Sequence, residues 1–268
     1  MKYKMLAVDM DGTLLTHEKI ITERNYAAIK KAKEKGVLVV VSTGRAAAGV
    51  DIYPEITSLE NPVILCNGAE IIKYPEGKLL YSQNLDSNVA EKVIAEGEKR
   101  KTTICIWSQG KLFANVRNEN VRIYESYSRG AAEILSDMTV LLDSGITKIV
   151  WYDEPKLIPG YMSEMKELLG DTSSCVMTAP EFLEFFDPGV SKATAVEAIA
   201  ASYGISNEEI ISIGDGYNDV EMIELAGLGA AMGNAPEGVK KRADFVTETN
   251  ANDGVAHVIE KFILSEND

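Results

Sequence analysis

Basic residues are scarce in this chain, and histidine and cysteine scarcer still. Against 41 Asp and Glu there are 27 Lys and Arg, giving a net charge of −14. A nucleic-acid binder carries a basic stripe on one face, and none is visible, so no nucleic-acid partner is expected. The same acidity opposes binding to anionic membranes. The two histidines, His17 and His257, are too few and too isolated for a His-based metal site. The three cysteines, Cys66, Cys105 and Cys175, are odd in number and lie in apolar, strand-like contexts. They read as buried thiols in a reducing compartment, not as a disulfide framework. No apolar run reaches the ~18 residues of a membrane-spanning helix. The apolar stretch after Lys2 and Lys4 meets Asp9 too soon for a signal-peptide core, so a cytoplasmic location is expected.

What is present is core material: 46% of the 268 residues are hydrophobic, enough for one large domain or two ordinary ones. Residues 3–9 read as a strand. "TERNYAAIKKAKEKG" (22–36) reads as a helix with Thr22 as N-cap and Gly36 as its stop. "VLVVVSTGR" (37–45) and "PVILCNGA" (62–69) are apolar runs of the kind buried on both faces of a parallel sheet. Repeated β, α, β predicts a doubly wound α/β, mostly parallel, Rossmann-like core. Near residue 82 the texture changes to helices mixed with hairpins, including a helical stretch over 118–136. From about residue 190 the first texture returns. The expected division is a core of 1–83 plus 187–268 with an inserted α+β domain over 84–186.

"LAVDMDGTLL" (6–15) places two like charges, Asp9 and Asp11, where a buried strand ends. In extended chain, residues i and i+2 face the same way, about 6.6 Å apart. Two carboxylates at that distance repel by roughly 2.5 kcal/mol at an effective dielectric of 20. A proton or a cation must sit nearby, or the geometry must diverge at the turn; the two groups could also end up in different protonation states. A second acidic loop, "GDGYND" (214–219), follows another predicted buried strand and carries Asp215, Asn218 and Asp219. Ligands of doubly wound sheets bind at the carboxyl ends of the strands, so Asp9, Asp11 and Asp215 are expected to converge there. An oxygen-only donor set suits Mg2+. "STGR" (42–45) offers hydroxyls and glycine amides as a phosphate cradle, and Lys192 opens a predicted helix as a point charge. Metal, hydroxyl, amides and lysine around one anion meet the electrostatic needs of phosphoryl transfer.

These residues resemble the haloacid dehalogenase-like hydrolase superfamily. "DMDGT" (9–13) is similar to its first motif, "VVVSTGR" to the second, Lys192 to the third and "GDGYND" to the fourth. The 34 positions from Asp9 to Thr43 and the 149 from Thr43 to Lys192 put the large insert between motifs two and three. That layout resembles the Cof-type phosphatases, whose cap is of the α/β type 2. "NGA" (67–69), "AGLGAAMGNA" (226–235) and "NDGVA" (252–256) also look like that group. The resemblance implies that Asp9 attacks phosphorus to form an aspartyl-phosphate, and that Asp11 protonates the leaving alkoxide and then deprotonates water. It further implies that Mg2+ is held by the Asp9 carboxylate, the Asp11 backbone carbonyl and Asp215. Thr43, Gly44 and Lys192 would hold the phosphoryl oxygens. Asn218 would contact phosphate or orient Lys192, and Asp219 would support the metal's waters or Lys192.

The expected substrate is a small phosphorylated metabolite, a sugar phosphate or another phosphomonoester. A phosphomutase of similar architecture and a non-catalytic sugar-phosphate sensor are the rival readings. Arg45, Asn67, Arg117 and Arg122 are candidates for substrate contacts. The insert is expected to hinge near 82–86 and 186–190.

Overall fold

Apolar runs without alternation need cover on both faces, and the chain builds them into a parallel sheet. The computed structural model describes residues 2–265. Its first elements are β1 (Met5–Asp9), α1 (Glu23–Glu34), β2 (Leu38–Ser42), the single turn α2 (Pro54–Thr57), β3 (Pro62–Leu65), β4 (Glu70–Lys73) and β5 (Lys78–Ser82). The middle of the chain supplies α3 (Ser87–Arg100), β6 (Thr103–Ser108), β7 (Lys111–Ala114), α4 (Glu119–Ser128) and β8 (Ala132–Ile134). After these come β9 (Lys148–Tyr152), α5 (Ile158–Leu169), β10 (Ser174–Ala179) and β11 (Phe182–Phe186). The last stretch contains α6 (Lys192–Ser202), β12 (Ile210–Gly214), α7 (Val220–Leu225), β13 (Leu228–Ala231), α8 (Glu237–Lys240), β14 (Phe245–Val246) and α9 (Gly254–Ile259).

The chain divides into two units. One comprises the residues up to Gly44, Tyr53–Tyr81, and the chain from Ser191 onward; the other comprises Arg45–Ile52 and Ser82–Val190. The short segment Arg45–Ile52 thus groups with the second unit although it lies upstream of the insert.

In the first unit the sheet order is β14-β13-β12-β1-β2-β3-β4-β5. From β14 to β3 every pairing is parallel. β4 runs antiparallel to β3. The sequence pattern predicted a single strand over 62–69. Instead the chain leaves β3 at Leu65 and reverses through Cys66 and Asn67, both left-handed, and Gly68. A β-carbon on Gly68 would lie 2.1 Å from the Ser191 carbonyl oxygen, so this turn packs directly against the start of α6. Met5 and Ala7 of β1 share a core with Ala193 and Val196 of α6. Side chains alternate along a strand, so Asp9, two residues beyond Ala7, faces the N-terminus of the same helix. α1 lies against β2 and α9. Its N-cap is Thr22, whose hydroxyl accepts from the Asn25 amide, and Gly36 follows its end at φ +87°.

The second unit is a six-stranded sheet in the order β10-β11-β9-β6-β7-β8, antiparallel except for the β7–β8 pair. α3 and α5 bury Val93, Ile94 and Met165 against Ile104, Ile149, Trp151 and Phe185. The helix expected over 118–136 stops at Ser128. Arg129 takes a left-handed conformation there, and Ala132–Ile134 joins the sheet instead. Cys105 and Cys175 are buried thiols, pushed by burial up to about 12 and about 11 respectively, which leaves them unreactive.

Gly97, inside α3, is needed for this packing. A β-carbon there would lie 2.7 Å from Trp151 Nε1 and 2.8 Å from Ile104 Cδ1. Overpacking costs about 1–3 kcal/mol, against a helix-propensity gain of about 1 kcal/mol for alanine. Gly97→Ala is therefore expected to lower stability by up to about 2 kcal/mol in chemical denaturation. A rise in stability would contradict this packing.

Candidate active site

β1, β2 and β12 end side by side, with Asp9 opposite Ser42 and Val8 opposite Ile213. The loops that follow these strands bring Asp9, Asp11, Thr43, Gly44, Asp215, Asn218 and Asp219 to one edge of the sheet. Lys192, at the first position of α6, is 1% exposed, and its Nζ lies 2.5 Å from Asp9 Oδ1 and 2.6 Å from Asp219 Oδ1. Asp219 is fixed in turn: its Oδ2 accepts from the backbone amides of Asp215 at 3.0 Å and Gly216 at 2.8 Å. Gly214 permits this, since a β-carbon there would fall 2.4 Å from that of Asp219.

Asp9, Asp215 and Asp219 each offer a carboxylate oxygen within 4.8 Å of the others. One lysine cannot balance three such charges. The Asp9 carboxyl is accordingly pushed up to about 8, chiefly by burial and then by the charge of Asp219, with Lys192 pulling the other way. Burial and Asp219 also raise Asp215. Burial opposes the charge on Lys192, but Asp9 and Asp219 outweigh it and hold the ammonium above its ordinary range. Asp9 Oδ1 is taken by Lys192, while Oδ2 is buried with no hydrogen-bond partner among the described residues. An orphaned buried carboxylate oxygen beside further acidic oxygens, with no sulfur or imidazole among them, fits a hard divalent cation of the Mg2+ type.

Asp11 points elsewhere: its carboxylate pairs with Lys19 at 2.8 Å and is partly exposed. Thr43 is buried; its amide donates to the Ile64 carbonyl, and its own carbonyl accepts from the Asn67 amide at 3.0 Å. Asn218, exposed, donates from Nδ2 to Asn67 Oδ1 at 3.0 Å. The Asn67 amide also lies against Gly44, where a β-carbon would sit 3.1 Å from Oδ1. Of the proposed substrate contacts, Asn67 is therefore with the site residues. Arg45, Arg117 and Arg122 belong to the second unit. There Arg45 donates to the Gly49 carbonyl, Arg117 to Glu125 and the Ala132 carbonyl, and Arg122 to Glu119.

The model of the haloacid dehalogenase-like hydrolase family matches residues 6–259. The chain belongs to that family. Among similar proteins is the 5-amino-6-(5-phospho-D-ribitylamino)uracil phosphatase YcsE of Bacillus subtilis, 32% identical over 265 residues, covering 97% of this chain and 96% of the relative. A crystal structure of a haloacid dehalogenase-like hydrolase from Bacteroides thetaiotaomicron superposes with a TM-score of 0.88 at 29% identity, covering 98% of this chain and 100% of that one. The chain is also 30% identical over 273 residues to the Arabidopsis thaliana protein Endoribonuclease YBEY, chloroplastic; the match takes in 97% of this chain but only 47% of that protein. Within the family the chain is of the Cof type and is a phosphoric monoester hydrolase acting on a small phosphoester. No helix among the described residues is long and apolar enough to cross a membrane.

The first unit carries two further groups at this site that the motifs left without a role. Thr13, fully buried, donates to Asp215 Oδ1 at 3.2 Å. Asn234, in the loop after β13, reaches the same carboxylate from its other side. The sequence does contain a signal for both. Thr13 closes the first acidic motif, and Asn234 follows a parallel strand at the sheet edge where Asp9 and Asp215 end theirs.

Proposed function

We propose that the chain is a Mg2+-dependent phosphatase that hydrolyses a phosphomonoester of a sugar or sugar alcohol through an aspartyl-phosphate on Asp9. The supporting observation is the pairing of Lys192 with Asp9 Oδ1 while Asp9 Oδ2 stays buried and unpaired beside Asp215. Asp9 and Asp215 would hold the cation together with the Asp11 backbone carbonyl. Bound there, Mg2+ supplies positive charge for phosphoryl oxygens and for the ionised form of Asp9.

In the first step an Asp9 carboxylate oxygen bonds to phosphorus as the phosphorus–oxygen bond to the sugar breaks, and Asp11, which must first leave Lys19 and turn towards the substrate, gives its proton to the departing alkoxide. In the second, Asp11 takes a proton from water as the water oxygen attacks phosphorus and the Asp9–phosphorus bond breaks. Lys192 keeps Asp9 aimed, and Asp219 keeps Lys192 in place. The Thr43 hydroxyl, the Gly44 amide and Asn218 hold phosphoryl oxygens. For Asn218 this role requires its amide to leave Asn67 or to share it. The sugar-type leaving group is supported by YcsE, whose named substrate carries its phosphate on a ribityl chain.

Phosphate release from a panel of sugar and sugar-alcohol phosphates, with Mg2+ and with EDTA, tests this reading. Release that requires Mg2+ and favours such esters is expected. Equal release in EDTA, or none from any member of the panel, would overturn it.

The raised Asp9 carboxyl carries a pH prediction. Folded Asp9 keeps its proton up to about pH 8, whereas the unfolded group loses it near 3.8. Cation-free protein is therefore expected to lose stability as pH rises from about 4 to about 8. Mg2+ takes only the carboxylate, so its apparent affinity should climb by up to about tenfold per pH unit towards pH 8. Melting temperature against pH, in EDTA and in Mg2+, checks both signs, with the gap between the two curves widening towards pH 8.

A further inference from the structure

The three acidic groups of the cluster are not held alike. Asp9 and Asp219 are both paired with Lys192. Asp215 instead meets neutral donors: the Thr13 hydroxyl at 3.2 Å from Oδ1 and the Asn234 amide at 3.4 Å from Oδ2. The same Asn234 Nδ2 donates to the Gly12 carbonyl at 2.8 Å, so it ties the first acidic loop to the second. Gly12 makes room at φ +83°, because a β-carbon there would lie 2.4 Å from Asp215 Oδ2. Asn234 is itself fixed: its Oδ1 accepts from the Asn250 amide at 2.9 Å, and Asn250 Nδ2 donates to the Leu15 carbonyl at 2.8 Å.

The consequence is electrostatic. Neutral donors fix a carboxylate's orientation without pairing its charge, and that fixed geometry is what Asp215 offers a cation. Asp9 and Asp219 share their charges with the lysine. Carboxylate ligands are ordinarily oriented by hydrogen bonds of this sort, and losing such a partner weakens metal affinity by about 10–100-fold.

We propose that Asn234 is a positioning residue for cation binding, fixing the Asp215 carboxylate relative to the Gly12 turn so that Asp215 and Asp9 present their oxygens to one ion. This rests on the reading above that these aspartates hold Mg2+. Asn234 is exposed, so truncating it leaves the core intact.

The test is calorimetric titration of cation-free protein with MgCl2, for wild type, Asn234→Ala and Asn250→Ala, with melting temperatures in EDTA beside it. Asn234→Ala is expected to bind Mg2+ about tenfold more weakly while melting like wild type in EDTA. Asn250→Ala removes the tie to Leu15 but leaves the donors of Asn234, and should keep wild-type affinity within about twofold. Weakening of less than about threefold in Asn234→Ala, or equal weakening in Asn250→Ala, would reduce Asn234 to a loop tie and overturn the proposal. Wild type that binds no Mg2+ would instead overturn the reading of the site itself, and the role of Asn234 with it.

Discussion

Asp9→Asn is expected to lower phosphate release by roughly 10^4-fold or more, the scale seen when an enzyme loses its nucleophile. The substitution keeps size and shape and removes one negative charge from a buried cluster. Lys192 retains Asp219 at 2.6 Å, so its ammonium is not stranded. The elevated Asp9 carboxyl marks a charge that the cation-free fold resists. In EDTA at pH 8, Asp9→Asn should therefore melt no lower than wild type. Loss of turnover without loss of stability separates a chemical role from a structural one. Turnover within tenfold of wild type would remove Asp9 as nucleophile.

Lys192→Met is expected to do both kinds of damage. Lys192 is 1% exposed and is the shared partner of Asp9 and Asp219. Methionine fills much of the volume but leaves two buried carboxylates facing each other. Removing one partner of a buried ion pair costs about 3–5 kcal/mol. At about 2–4 °C per kcal/mol for a chain of this class, the melting temperature should fall by roughly 6–20 °C. Turnover should vanish with it. Because the cost is charge and not packing, it should be largest above about pH 8, where Asp9 ionises, and shrink below it, where protonation of Asp9 relieves the repulsion. Adding Asp219→Asn should recover part of the loss, as expected for coupled residues. A deficit independent of pH and unaffected by Asp219→Asn would mean that Lys192 acts as filler.

The parts of the molecule governed by local pattern were legible in the sequence. Unbroken apolar runs such as Leu38–Ser42 became central parallel strands, and Thr22 caps α1 as its residue type requires. Four motifs, each after an element of the right kind, located the acidic edge. What stayed hidden depends on distant partners. β4 exists because Cys66 and Asn67 accept left-handed backbone, and nothing in "PVILCNGA" marks that reversal as strongly as the apolar run marks a strand. The stop of α4 at Arg129 rests on another left-handed residue of a type that rarely adopts it. In the site, the family resemblance implies a supporting role for Asp219 beside Lys192 or the metal's waters, but not that its second oxygen caps the Asp215 and Gly216 amides. Asn67 meets Asn218 across 151 positions of chain, and Asn234 meets Gly12 across 222, distances over which no spacing rule operates.

A nucleophilic Asp9 becomes phosphorylated during turnover, and acid quenching traps it in that state. Wild type mixed with Mg2+ and a phosphomonoester that it cleaves, quenched in acid within the first turnovers and digested, should yield the peptide containing Asp9 carrying one phosphoryl group, lost on treatment with hydroxylamine. Asp9→Asn should yield none. A phosphoryl group found on another residue, or rapid release with no covalent adduct at any quench time, would rule out Asp9 as the nucleophile.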